Sequence, residues 1–144
     1  MLLDTSQLNV GFIKKILHIY LYLIGRSLFK LNDLDGALEH YQKVLAIDEE
    51  IAGEFHRDTA TSISNVADVL KAQGKVDEAE KEIKRALNIR LKVLGRHTDV
   101  SRSYSQLGLL YHEKGLFDDA LVEHNKALDI NLELLGDKHP EVTS

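Results

Sequence analysis

The chain has 144 residues, 44% of them apolar, and a formal net charge of -5 at pH 7, which is enough apolar content for the core of one domain. Nucleic acid affinity rests on clustered Lys and Arg, so this acidic balance excludes a generic phosphate-backbone binder. There is no cysteine and no Asn-x-Ser/Thr sequon; nothing asks for an oxidising compartment, and a cytoplasmic location is expected.

Residues 1–13 form a lead with Leu2, Leu3, Leu8, Val10, Phe12 and Ile13 as its apolar side chains. Ile16 to Gly25 then runs apolar behind Lys14-Lys15, in the order of a targeting signal, but it is too short to cross a bilayer. No membrane association is expected from it. Leu21, Ile24, Gly25 and Leu28 fall in register with Ile63, Val66, Ala67 and Leu70, so the segment reads as the first helix of a repeating unit spanning 14–53. Ile19, Tyr22, Leu23 and Phe29 make that helix apolar on nearly all sides, the pattern of a helix covered all round. The lead folding back, an upstream repeat or a second subunit would each supply the cover; in the last case a homodimer forms through Tyr22, Leu23 and Phe29.

The second unit spans 54–95. Ile63, Val66, Ala67 and Leu70 mark one face of a first helix, and Gly74 interrupts it. Val76, Ala79, Ile83, Ala86, Leu87 and Ile89 then trace a second helix, ending at Gly95. Early acids Asp77, Glu78 and Glu80 and later bases Lys84, Arg85, Arg90 and Lys92 complement its dipole and read as a solvated face, with Asp77–Lys81 and Glu80–Lys84 as i,i+4 pairs. The third unit, 96–136, repeats the plan. In 137–144, Pro140 suits the first position of a helix because its missing N–H would have no partner there anyway. These residues read as the start of a fourth first helix, cut from a longer array.

Gly53, Gly95 and Gly136 lie 42 and 41 residues apart, each closing the same apolar phrase: Val44-Leu45-Ala46-Ile47, Ala86-Leu87-Asn88-Ile89, Ala127-Leu128-Asp129-Ile130. A fixed period of this size means stacked helical hairpins with a concave surface. Gly25, Ala67 and Gly108 on first helices, and Ala37, Ala79 and Ala120 on second helices, are expected where the two members of a hairpin approach closely.

Leu107-Gly108, Tyr111, Gly115, Ala120 and Ala127 resemble the tetratricopeptide repeat pattern. The Leu-Gly stops at Leu94-Gly95 and Leu135-Gly136, followed by His139-Pro140-Glu141-Val142 and its weaker copies at His97 and His56, resemble the longer repeat of the kinesin light chain type. The resemblance covers about residues 15–144 and implies an all-α fold, a right-handed α-solenoid of antiparallel helical hairpins with three repeats and the start of a fourth. It also implies that an asparagine placed like Asn65 hydrogen-bonds the backbone of a bound peptide, with Gln106 at the matching place one unit later.

Motifs for chemistry are missing. No Gly-rich phosphate loop occurs, and His112-Glu113 lacks the second zincin histidine because position 116 is Leu116. His56, His97 and His139 fall at one loop position in successive units and are expected to cap helices rather than bind metal. Asp118-Asp119 and Glu49-Glu50 are expected in the open, where nothing separates their pKa values as catalysis requires. Ser62, Ser64, Ser101, Ser103 and Ser105 have no adjacent base. No enzyme, metal or cofactor is expected.

Helical phase turns one side of each first helix toward a shared groove. Its candidate lining is Tyr22, Arg26 and Lys30, then Ser64, Asn65, Asp68 and Lys71, then Arg102, Gln106, Leu109 and His112. Donors, shallow apolar patches and cations together suit an extended peptide, acidic and bearing an apolar anchor, held by Arg26, Lys71 and Arg102 with Asp68 in partial opposition. The expected function is a non-catalytic protein-interaction scaffold. An architectural or sensor array within a larger protein, and a self-associating module built on the first unit, are the alternatives.

Overall fold

The computed structural model describes residues 5–136 as six helices: α1 Thr5–Lys30, α2 Leu34–Ala52, α3 Arg57–Ala72, α4 Val76–Leu94, α5 Thr98–Glu113 and α6 Phe117–Gly136. No strand occurs among the described residues. The extensive contacts join helices consecutive in sequence, within the hairpins α1–α2, α3–α4 and α5–α6 and then between them at α2–α3 and α4–α5. Each unit thus rests mainly on its neighbours, as in a solenoid.

Local chemistry sets the breaks. Gly74 and Gly115 turn the chain inside the second and third hairpins at φ +83° and +78°, and Asn32 takes the same place in the first at φ +65°. Asparagine is among the few L residues that visit this left-handed region readily. The connections between hairpins end in a histidine cap: His56 Nδ1 accepts from Asp58 N–H and His97 Nδ1 from Asp99 N–H, both at 3.0 Å. The capping role expected for these two histidines is met; His139 lies outside the described residues, as does Pro140.

Close approach within each hairpin depends on small residues. Ala37, Ala67 and Ala79 have no exposed surface and Ala120 almost none. A Cβ on Gly25 would lie 2.9 Å from the Tyr41 ring, and one on Gly108 would lie 2.6 Å from the His124 ring. One core cluster, including Tyr41, Val66, Leu70, Ile83, Leu107 and Leu110, therefore runs through all three hairpins, and a second (Ala60, Ile63, Ala86, Ile89) fills the middle one.

Three expectations need correction. The lead does not fold back over the first unit within 5–13, because those residues extend α1 without a break and leave Val10, Phe12 and Ile13 exposed. Arg90 does not belong to a solvated face. It is 1% exposed, since it sits seven residues after Ile83 and four after Ala86 on the stripe that α4 turns inward. Asp77 pairs not with Lys81 but with Lys114 of the next unit, at 2.9 Å, whereas the Glu80–Lys84 pair forms at 2.9 Å.

Candidate functional site

Helices α1, α3 and α5, the first members of the three hairpins, contribute side chains to one continuous surface. At its first end lies a recess of about 160 Å³ lined by Tyr22, Arg26, Phe29 and Lys30 of α1, Tyr41 of α2, and Asn65 and Asp68 of α3. A wider hollow of about 360 Å³ adjoins it, lined by Phe29, Asp68, Lys71, Ala72 and Glu113, so that three helices meet around it. Phe29 and Asp68 belong to both. The sequence-derived lining is brought together at Tyr22, Arg26, Lys30, Asn65, Asp68 and Lys71.

Hydrogen bonds and charges differentiate these residues. Asn65 is half-buried, lines the recess and makes no side-chain hydrogen bond among the described residues, so its amide is unspent. Gln106, at the matching place, donates from Nε2 to Asp68 Oδ1 at 3.0 Å, and its Oε1 is buried without a partner. Lys71 Nζ stands 3.7 Å from Glu113 Oε1. Arg26, Lys30 and Arg102 make no ion pair among the described residues.

Asp68 keeps an open edge to solvent while its carboxyl is crowded by α3 and α5. Loss of water pushes its pKa above the ordinary carboxylate value, and this outweighs the Gln106 hydrogen bond and the cations Lys71, Arg90 and Arg102, which pull it down. Burial likewise raises the Tyr41 hydroxyl, assisted by Tyr22, whose ring stacks on it at 6.0 Å between centroids. Beneath the groove, Arg90 Nη1 donates to Ser103 Oγ at 2.8 Å and Nη2 reaches Thr61 Oγ1 at 3.5 Å, and its Nε has no partner. Desolvation depresses the Arg90 pKa, although Asp99 and Asp68 oppose the effect.

Other candidates fall elsewhere. Ser64 is 4% exposed with its hydroxyl unpartnered, so it is not a groove residue: α3 is the central first helix, packed where α1 and α5 have one open flank. Arg102 and Leu109 are exposed on α5 but line neither hollow. His112 is exposed and its ring meets Phe117 edge-on at 5.1 Å, drawing it toward α6. Of the residues proposed for self-association, Tyr22 and Phe29 pack against the core and only Leu23 stays exposed. Sequence reasoning missed Tyr41 and Glu113 as groove walls; Tyr41 was legible, four residues after Ala37 and three before Val44 on the buried stripe of α2. No group of three or more His, Asp or Glu among the described residues could hold a metal ion, and no described helix is long and apolar enough to cross a membrane.

The family model for the tetratricopeptide repeat matches residues 16–92 and 58–133. Among characterised proteins, none matches the sequence significantly. Similar solved structures include BtubC (BKLC) from P. vanneervenii, with 29% identity over 81% of this chain and 46% of that one and a TM-score of 0.73. The TPR domain of Arabidopsis FLU has 18% identity, covering 84% of this chain and 98% of that one, with a TM-score of 0.72. A putative kinesin light chain of Podospora anserina with nearly identical TPR-like repeats has 22% identity, covering 85% of this chain and 59% of that one, with a TM-score of 0.72. The chain spans less than two thirds of the first and third of these proteins.

Proposed function

This chain belongs to the tetratricopeptide repeat family, whose members generally mediate protein–protein interaction, and on that premise we propose that it is a non-catalytic scaffold binding an extended peptide segment along the surface of α1, α3 and α5. The observation that carries this reading is the recess between Tyr22, Phe29 and Asn65. It pairs an apolar wall with an amide whose hydrogen-bonding capacity is unspent and with Arg26 and Lys30, which have no ion-pair partner among the described residues. An extended peptide needs that combination, because its backbone seeks donors and acceptors while alternate side chains seek pockets.

The ligand charge follows from which cations are free to act. Lys71 already faces Glu113, so an acidic segment is held chiefly by Arg26, Lys30 and Arg102, with its aromatic or aliphatic anchor in the recess. Asp68 and the occupied Gln106 amide leave Asn65 as the principal backbone contact. A cytoplasmic setting, consistent with the absence of cysteine, belongs to the same reading.

The test is a fluorescence titration with two labelled peptides of equal length, one acidic with a single Phe and one with lysines in place of the acids. The acidic peptide is expected to bind more tightly at low salt, and Arg26→Glu with Arg102→Glu is expected to remove the preference. Equal binding of both peptides, or a preference that survives the double substitution in a folded protein, refutes the proposal.

A further inference from the structure

A second groove runs between α2 and α4, apart from the surface shared by α1, α3 and α5, and we propose that it docks an amphipathic helix of a partner protein, apolar stripe down and a carboxylate-bearing flank against α4.

The groove encloses about 500 Å³. Leu38 and Leu45 of α2 with Val66 and Leu70 of α3 give it an apolar base, continuous with the core beneath. Helices α2 and α4 make no extensive contact with each other, so the space between them stays open above α3. Walls and base all come from helices with a neighbour on each side, and the opening therefore owes nothing to α1 or α6.

The next junction shows that the repeat does not build this groove as a matter of course. One unit later Glu80 stands for Leu38 and Tyr111 for Leu70. Glu80 accepts from Lys84 at 2.9 Å and from Lys114 at 3.1 Å, and Lys114 also reaches Asp77 at 2.9 Å. Charged side chains bonded to one another thus cross that space. At the first junction the counterpart of Lys114 is Gln73, which donates to Asp35 at 2.8 Å and has no carboxylate at place 38 to reach. The rims differ as well, since the counterparts of Lys75 and Lys81 are Leu116 and Val122. An apolar base under a lysine rim belongs to the α2–α4 groove and not to its successor.

The shape and charge of the groove select its occupant. Helices α2, α3 and α4 spend their mid-helix backbone groups internally, so an extended segment would find few partners here for its own N–H and C=O groups, whereas a helix arrives with these satisfied. Leu38 and Leu45 are about 10 Å apart along α2, the span of an i, i+4, i+7 stripe on a docked helix. On the rim, Arg85 is divided between Glu49 and Glu82, at 3.7 Å from each. Lys75 and Lys81 make no ion pair among the described residues, and among the lining carboxylates only Glu78 is likewise unpaired. The unspent charge is positive, which calls for carboxylates on the flank that meets α4.

The probe is a labelled, lactam-bridged helix of about 14 residues, bridged because an isolated helix that short is marginal in water. It carries Leu at i, i+4 and i+7 with Glu along one flank. Two companions have Lys in place of Glu, or the same composition reordered to break the stripe. In a fluorescence titration of the 144-residue chain at low salt, the acidic helix is expected to bind more tightly than either. Lys75→Glu with Lys81→Glu, both at exposed places, is expected to weaken it about tenfold. Leu38→Glu with Leu70→Tyr, which installs the residues of the next junction, is expected to remove binding with the helical circular dichroism spectrum unchanged. Arg26→Glu with Arg102→Glu is expected to leave this titration unaltered, so failure here and failure of the extended-peptide reading are told apart. The proposal is overturned if the acidic helix does not bind, if the reordered peptide binds as well, if the two lysine substitutions change nothing, or if the Arg26 and Arg102 substitutions abolish binding. Self-association of the native chain that Leu38→Glu with Leu70→Tyr dissolves would give the groove to a second copy and overturn it too.

Discussion

The junction between α2 and α3 and the junction between α4 and α5 bury an ionic side chain at the same place in the repeat, and the two have opposite sign. At the first, Asp48 accepts from His18 Nε2 at 2.7 Å and from the Ser62 hydroxyl, so both carboxylate oxygens are engaged. At the second, Arg90 has two hydroxyls for partners and no carboxylate within ion-pair distance among the described residues, and its Nε–H is left without a partner. The position is common to both units because α2 and α4 turn the same stripe inward. The sign is not common, because it depends on what the neighbouring first helices offer: His18 of α1 at one junction, Thr61 and Ser103 at the other. A repeat thus conserves the geometry of a buried site more readily than its chemistry.

If the first junction is a satisfied site and the second an under-satisfied one, removing the charge at each should have unequal effects. Asp48→Ala strands His18 and the Ser62 hydroxyl and is expected to lower stability by about 2–3 kcal/mol in urea unfolding. Arg90→Met removes a desolvated cation while keeping most of its volume, and is expected to be neutral or to stabilise by about 1 kcal/mol. Should Arg90→Met cost as much as Asp48→Ala, the contrast between the junctions collapses.

Asp68 sharpens the contrast from the groove side, since it is one of the charges that act on Arg90. Its folded pKa lies above the unfolded value, so the unfolded chain ionises first as pH rises and the fold is penalised above that range. Asp68→Asn is therefore expected to raise the melting temperature at neutral pH, with the gain shrinking as the pH falls through the raised folded pKa toward the ordinary Asp value of 3.8. A gain that grows in acid would reverse the sign of this argument.

The smallest effect should not distinguish the junctions at all. His56→Ala and His97→Ala remove the same cap from α3 and α5, and each is expected to cost about 1 kcal/mol, with His→Asn at either place retaining most of it. Unequal losses, measured by the same unfolding curves, would mean that the caps are coupled to the ionic groups behind them.

The 41- and 42-residue spacing, the small residues at 37, 79 and 120, and the histidines at 56 and 97 were legible in the chain because each answers a local demand: a helical stripe, a close approach, an unpaired N–H. They determined an all-α stack of hairpins and the side of α1 and α3 that holds Tyr22, Arg26, Asn65 and Asp68. What only the tertiary structure decided lay between units. It engaged the Gln106 amide with Asp68, set Lys71 against Glu113, sank Ser64, and carried residues 5–13 forward as helix instead of folding them back. Periodicity reports which side of a helix is buried, but a hydrogen bond between helices some forty residues apart depends on how one hairpin seats on the next, and that is settled only when both are packed.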